Sequence, residues 1–495
     1  MQVRFTKSRE AGRYGAGCPA GAGPACTSVS VFVRLFWLTL VAALMVTFAT
    51  AAASGRGDSA VFERAKTVAV GIDFTCALTT EGGVKCWGYN GHDELGNGQG
   101  PSNGRFVPTS NVLGLVRGVT AITAGVRHSC ALTSEGRVKC WGANYEGSNG
   151  TGTADIPGGP ITVSGVSGVS AISAGHDFSC VLVGGGVKCW GDNSQGMLGN
   201  GTKESGPTPV DVLGLSDSVV AIESGIVQSC ALMSDGGVRC WGGQLGTAPV
   251  QISGLDGGAK AIASGCALTN GEGVKCWAQD ATAVDVPGLT SGIKAISGEG
   301  LNHCALTSTG GVKCWGDNEF GQLGDGTTRD HATPIDVPGL RTGVTAVTTG
   351  SFHSCAVTRG GGIKCWGVGG SGQLGNGSTK SPSRPVSVLD FGPRARLSIL
   401  SGSVSVTSRR IAPTRLRCGA DMGCRGTLTL GGFGSRTFAI AAGRTKTVAI
   451  KLTARGLGLV ERAKRLPTEA RAVFKQPAGP PTTQTRTVVL IAPKR

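Results

Sequence analysis

Cysteines, histidines and a few clustered carboxylates are the side chains of this sequence whose spacing could do chemistry. Fourteen of the 18 cysteines fall into seven pairs, Cys76/Cys86, Cys130/Cys140, Cys180/Cys189, Cys230/Cys240, Cys266/Cys276, Cys304/Cys314 and Cys355/Cys365. Cys418/Cys424 is an eighth pair, and Cys18 and Cys26 stand apart near the start. Even, regular spacing predicts disulfides made in an oxidising compartment. Cys418 and Cys424 lack the second pair that a zinc site needs. His128, His303 and His353 recur at one position ahead of a cysteine. Such repetition favours a structural hydrogen bond over catalysis or metal binding. Asp317, Asn318, Glu319 and Asp325 cluster, but their spacing is wrong for a calcium loop. No Ser/His/Asp trio, zinc motif or phosphate loop stands apart from the repeats. No catalytic, metal or cofactor residue is therefore assigned, and a binding scaffold is expected rather than an enzyme.

The elements that carry the cysteines are short strands. A tryptophan follows each second cysteine of the seven pairs: Trp87, Trp141, Trp190, Trp241, Trp277, Trp315 and Trp366. The pairs recur about every 50 residues, except for two shorter steps. Within one unit, Val219–Ile222, Ser229–Leu232, Gly237–Trp241 and Pro249–Ile252 read as four strands punctuated by glycine. Seven such units predict an all-β, seven-bladed β-propeller over residues 67–391. Cys76 and Cys86 stand opposite each other if their hairpin has a three-residue loop with a glycine, such as Gly82, in the left-handed conformation. Cys180 and Cys189 are one residue closer, and Gly184-Gly185 suits a two-residue turn. Loop and spacing shrink together, so one cross-strand disulfide per blade is expected. Alternation places Leu78, Val84 and both cysteines on one face and Ala77 and Trp87 on the other. Both faces are apolar, as in a blade packed between two neighbours.

The segment Trp315–Gly326, Trp-Gly-Asp-Asn-Glu-Phe-Gly-Gln-Leu-Gly-Asp-Gly, and the runs Ala-Gly-x-x-His-Ser-Cys-Ala-Leu resemble the repeat of the regulator-of-chromosome-condensation family. The resemblance covers roughly residues 67–391 and implies a seven-bladed propeller. Proteins of this kind include eukaryotic exchange factors, a bacterial propeller-type β-lactamase inhibitor and many secreted bacterial proteins. The paired cysteines and the leader are most similar to the last group. An exchange-factor or enzyme-inhibitor role is the alternative the resemblance implies.

Antiparallel order puts the first and third connections of every unit at one end of the ring, where length and sequence vary most. The other end carries short, uniform hairpins such as Ser134-Glu135-Gly136. The variable end is the expected partner surface, with Phe74, Tyr89, His92, Tyr145, Glu146, Phe178, Gln195, Phe320 and Phe352 as candidate contacts. After Trp241 and Trp277 the segment Gly-Gln-Leu-Gly-Asn-Gly is absent, and Gly265 runs straight into Cys266. These deletions predict a notch at that end, either simple loop loss or lateral entry for an elongated ligand.

Charge divides the chain. The formal net charge is +16, yet residues 67–391 carry 19 basic and 25 acidic side chains, and residues 392–495 carry 20 and 3. The last segment reads as a basic β-sandwich, Ig-like, with strands near 396–399, 426–430, 437–440, 447–452, 470–474 and 487–491. Its charge would draw an anionic cell-surface polymer, although arginine bias from a GC-rich genome gives the same composition. Residues 1–54 read as an irregular leader with a signal peptide or membrane anchor, Leu35–Ala53, and small residues that fit cleavage before Ser54. Translation starting near Val31 would remove the long preamble. Residues 55–66 form a linker. The expectation is a secreted or cell-surface monomer that meets an extracellular protein or glycan. No nucleic acid is expected as a partner, and a membrane only through the leader.

Overall fold

The computed structural model describes residues 63–99, 107–153, 158–255, 258–278, 280–392, 396–419, 423–476 and 481–493. The leader, its apolar segment, Cys18 and Cys26 lie outside these residues. Among the described residues no helix is long and apolar enough to cross a membrane.

Residues 65–387 form seven four-stranded antiparallel sheets, each from consecutive strands. Blade 1 is Ala65–Val70, Phe74–Thr79, Val84–Gly88 and Val107–Asn111. Blade 4 is Val219–Ser224, Ser229–Met233, Val238–Trp241 and Val250–Gln251, the four strands read from its glycines and β-branched runs. In every blade the second and third strands place their cysteines directly opposite each other. All seven expected disulfides form: Cys76–Cys86, Cys130–Cys140, Cys180–Cys189, Cys230–Cys240, Cys266–Cys276, Cys304–Cys314 and Cys355–Cys365. Their Cα atoms are 4.0–4.1 Å apart. Gly82 takes φ +80°, and Gly184 and Gly185 take +58° and +84°, as the two hairpin lengths require.

The two apolar faces of a blade meet different neighbours. Cys76, Leu78, Val84 and Cys86 share a core with Ala131 and Trp141 of the next blade. Ala77 and Trp87 share one with Cys355, Val357 and Cys365 of blade 7. The same pattern links each successive pair of blades, so the ring closes. Cys130 and Cys140 face Trp190, Cys230 and Cys240 face Trp277, and Cys304 and Cys314 face Trp366. Cys266 lies in the core with Trp315, and Cys276, in the shortened blade 5, is only half-buried against it. These cysteines are therefore packing links between strands and blades. Closure uses side-chain packing, a lone backbone bridge between Glu63 and Phe391 and the Ala65 amide donating to the Gly361 carbonyl, and not a shared four-stranded sheet. The last strand stays with its own blade, and His353 Nε2 reaches Thr75 Oγ1 at 2.8 Å across the seam.

The basic C-terminal segment forms a three-stranded and a five-stranded sheet around one apolar core. All six expected strand regions are strands. The Cys418–Cys424 disulfide joins the two sheets within that core. Three elements went unread in the sequence: the strands Ser403–Ser405 and Ile411–Cys418, and the helix Ala454–Ala463, capped by Thr453 Oγ1 accepting from the Gly456 amide. Two internal glycines hide the helix from propensity.

Candidate functional site

The repeated residues at the loop-rich end first build the fold. After the Trp-Gly of blades 1, 2, 3 and 6, an asparagine folds the third connection back on itself. The Oδ1 atoms of Asn90, Asn144, Asn193 and Asn318 accept from the amides of Leu95, Asn149, Leu198 and Leu323 at 2.8–2.9 Å. Such side chain-to-backbone bonds stand in for a regular turn. His128 Nε2 lies 2.9 Å from Ser179 Oγ of the next blade, as His353 does from Thr75. Burial pushes His128 down to about 4 and His353 down to about 3, so both are neutral inter-blade struts. Asp317 accepts from Gln322 Nε2 and Asp325 from the Thr327 amide, so these carboxylates brace the turn. Among the described residues no group of three or more His, Cys, Asp or Glu side chains is placed to hold a metal ion.

Of the nine candidate contacts, seven keep surface at the loop-rich end. Phe74 and Phe178 do not. Each is the first residue of a second strand, and both are buried in blade cores. Glycine-punctuated loops conceal from sequence where the strand begins, so both leave the candidate set. Glu146 and Gln195 are exposed turn residues.

Tyr89, His92 and Tyr145 come together between blades 1 and 2. The His92 and Tyr145 rings lie 5.7 Å apart, and Tyr145 Oη is 2.9 Å from His92 Nε2. His92 Nδ1 is 3.1 Å from Glu94 Oε1, completing a carboxylate–imidazole–phenol chain that ends at the exposed Tyr145. Burial raises the Glu94 carboxyl, partly opposed by its bonds from His92. Beneath it, Asp93 is buried with neither carboxyl oxygen hydrogen-bonded, and burial followed by repulsion from Glu94 pushes it up to about 6. Its φ is +63°, at a position where blades 2, 3, 6 and 7 place Gly147, Gly196, Gly321 and Gly372. Across the ring, Phe320 and Phe352 of blades 6 and 7 pack edge to face with centroids 5.1 Å apart.

The first strands of all seven blades line an axial cavity of about 290 Å³. Glu223 and Glu299 face it, each keeping surface toward the cavity but enclosed by its walls. Burial and repulsion from Glu299 push Glu223 up to about 8. Burial pushes Glu299 up to about 7, against its bond from Ser351 Oγ at 3.1 Å. At the same end, the His176–Asp177 pair holds His176 above the usual histidine range. The carboxylates were missed because nothing local marks them: each sits in an ordinary first strand, and only closure of the ring gathers them.

Residues 65–94, 119–148, 294–322 and 344–373 match the Regulator of chromosome condensation (RCC1) repeat, and a second model of that repeat matches residues 185–232 and 309–357. The chain is 28% identical over 338 residues to the mitochondrial RCC1 domain-containing protein RUG3 of Arabidopsis thaliana, covering 67% of this chain. It is 32% identical over 293 residues to the secretion-regulating guanine nucleotide exchange factor of Bos taurus, covering 55% of this chain. The match spans 60% of the length of each of these curated relatives. Among solved structures, Prp20p of Saccharomyces cerevisiae aligns at 22% identity and a TM-score of 0.42, covering 65% of this chain and 76% of that one.

Proposed function

We propose that this chain, whose propeller is built of RCC1 repeats, is an exported, non-enzymatic binding scaffold that engages a protein or glycan through its loop-rich end. The repeats and their relatives support a regulatory or binding role. The observation that carries the finer reading is that, among the described residues, the exposed aromatic side chains Tyr145 and Phe320 lie at this end, whereas the hairpin end exposes the aliphatic Leu113, Val116 and Leu213. Tyr145, Phe320, Val227 and Leu301 are each at least 40% exposed in loops of that end, at positions the repeat does not need for packing. Such side chains anchor interfaces. Eight disulfides hint at an oxidising environment and favour a secreted or cell-surface location.

We propose further that the basic C-terminal segment associates with an anionic surface polymer. Arg415, Arg417, Arg425, Arg436, Lys446 and Arg471 are all exposed on its sheets. A regulator of the exchange-factor or enzyme-inhibitor type is the alternative, and the Bos taurus relative supports its exchange-factor form.

Photo-crosslinking in the native host tests the binding face. A photoreactive residue at Tyr145 or Phe320 should give adducts of defined mass, and one at Glu135 on the opposite hairpin end should not. Equal labelling from both ends would refute the assignment. Non-reducing peptide mapping checks export, with intact intra-repeat bridges and a chain starting near Ser54 as the expected result.

A further inference from the structure

Five of the seven blade tryptophans are tied to the preceding blade in one way. Trp87 Nε1 donates to the Gln373 carbonyl, Trp141 to Glu94, Trp190 to Ser148, Trp241 to Met197 and Trp366 to Gln322, all at 2.8–2.9 Å. The acceptor is always seven residues after the preceding blade's own tryptophan. In four of these turns the next residue is a fully buried leucine, Leu374, Leu95, Leu198 or Leu323. The glycine after it presses on the indole, so closely that a Cβ at Gly375, Gly96, Gly199 or Gly324 would lie within 2.7 Å of the ring.

Trp277 and Trp315 are the exceptions, because blades 4 and 5 lack this turn at its usual spacing. Blade 4 keeps Gly243-Gln244-Leu245-Gly246, but four residues nearer its tryptophan, drawn into a tight turn by the Gly242 amide donating to the Gly246 carbonyl at 2.7 Å. Leu245 reaches the edge of the core and is only half-buried. Trp277 is 8% exposed, and its Nε1 is buried with no acceptor. Trp315 instead stacks on His303 at 5.5 Å, and that histidine turns back to the Ser264 carbonyl and makes no bond to the next blade.

The first connections continue the same notch. Three residues before the second-strand cysteine stand Asp73, Arg127 and Asp177 in blades 1 to 3, but Val227, Leu301 and Phe352 in blades 4, 6 and 7. Leu301 is 77% and Val227 43% exposed. A Cβ at Gly300 would come within 2.9 Å of Ile226, so the loops of blades 4 and 6 meet above the shortened blade 5. The notch is thus a buried, unsatisfied N–H donor beside a loosely filled apolar slot and two exposed aliphatic side chains.

We propose that this notch seats a loop of a partner protein that supplies what the shortened turns lack. The loop would bring a backbone carbonyl for Trp277 Nε1, a leucine-sized side chain for the slot that Leu245 fills loosely, and a glycine against the indole. The five intact interfaces define that occupant as x-Leu-Gly, with the carbonyl on x. A buried donor left without a partner is costly, so an acceptor delivered there gains more than the same bond at an exposed site. Peptide is favoured over glycan because the flanking side chains, Val227 and Leu301, offer apolar contact and no hydrogen bonds. The proposal rests on the binding role above and names its partner chemistry.

The test uses the full chain with ¹⁵N-labelled tryptophan, and as probe the decapeptide Asp-Asn-Glu-Phe-Gly-Gln-Leu-Gly-Asp-Gly, the sequence of residues 317–326. One indole N–H signal, identified by its loss in Trp277→Phe, should move downfield and saturate as peptide is added. A peptide with aspartate in place of its leucine should leave it unmoved. A second variant inserts Asp-Asn-Ser-Gln between Gly242 and Gly243, giving blade 4 the spacing of blade 3. It should show the shifted signal without peptide and should no longer bind. A Trp277 signal unmoved at millimolar peptide, or unchanged binding by the insertion variant, overturns the proposal. Crosslinking from Tyr145 and Phe320 is read separately, so a notch that fails leaves the loop-rich binding face to stand or fall by itself.

Discussion

Replacing Asp93 should stabilise the propeller, and by an amount that depends on pH. Its carboxyl is buried, lacks a hydrogen bond and sits at φ +63°. Its folded value of about 6 lies above the ordinary 3.8. A raised carboxyl favours the folded state fully only below the unfolded value, and that contribution is lost as pH rises through the folded value. The difference corresponds to about 3 kcal/mol above pH 7 at 1.36 kcal/mol per unit. Water near the rim of the propeller screens part of this, leaving roughly 2 kcal/mol. Asp93→Asn removes the charge and tolerates the left-handed backbone. Asp93→Gly also relieves the backbone, but that gain of about 1 kcal/mol is offset by the greater freedom of glycine in the unfolded chain. Both variants should therefore gain roughly 2 kcal/mol over the parent at pH 7.5 and almost nothing at pH 3.5, by urea unfolding followed through tryptophan fluorescence. An equal gain at both pH values would falsify the electrostatic account and leave only strain.

The tryptophans should separate by context. Trp141→Phe strands the buried Glu94 carbonyl and should cost about 1–3 kcal/mol, whereas Trp277→Phe removes a donor that has no partner and should cost less than half as much in the same assay. His128 and His353 bind protons in the unfolded chain below about pH 6.5 but resist them when folded, so stability should fall steadily from pH 6.5 towards pH 4. Replacing both by asparagine should flatten that slope, and an unchanged slope would assign it to other groups. Cys76→Ser with Cys86→Ser opens a ten-residue link and should lower stability by about 2–3 kcal/mol, read from the denaturant midpoint. Charge reversal of Arg415 and Arg417 should weaken retention on an anionic polymer and its salt dependence, and retention that does not change would remove those residues from the surface-binding proposal.

The repeat unit and much of its geometry are legible along the chain. Strand period, glycine-bearing hairpins and matched loop and cysteine spacing place Cys76 against Cys86 and Cys180 against Cys189, because pairing within a hairpin is set by a few adjacent residues. The same logic holds for Cys130 with Cys140, Cys230 with Cys240, Cys266 with Cys276 and Cys304 with Cys314. Alternation also tells which face of each blade holds tryptophan. The variable end and the shortened units are equally plain, since insertions and deletions are visible directly. Closure of the ring supplies what no local pattern records. Phe74 and Phe178 read as loop residues in sequence, because their burial depends on the neighbouring blade. Glu223 and Glu299 belong to units 76 residues apart and meet at one cavity only when the ring closes. The unsatisfied Trp277 indole stands out only beside five other indoles that bond to the blade before them. Each of these five indole bonds joins residues more than 40 positions apart, and only the closed ring specifies which carbonyl each donor meets.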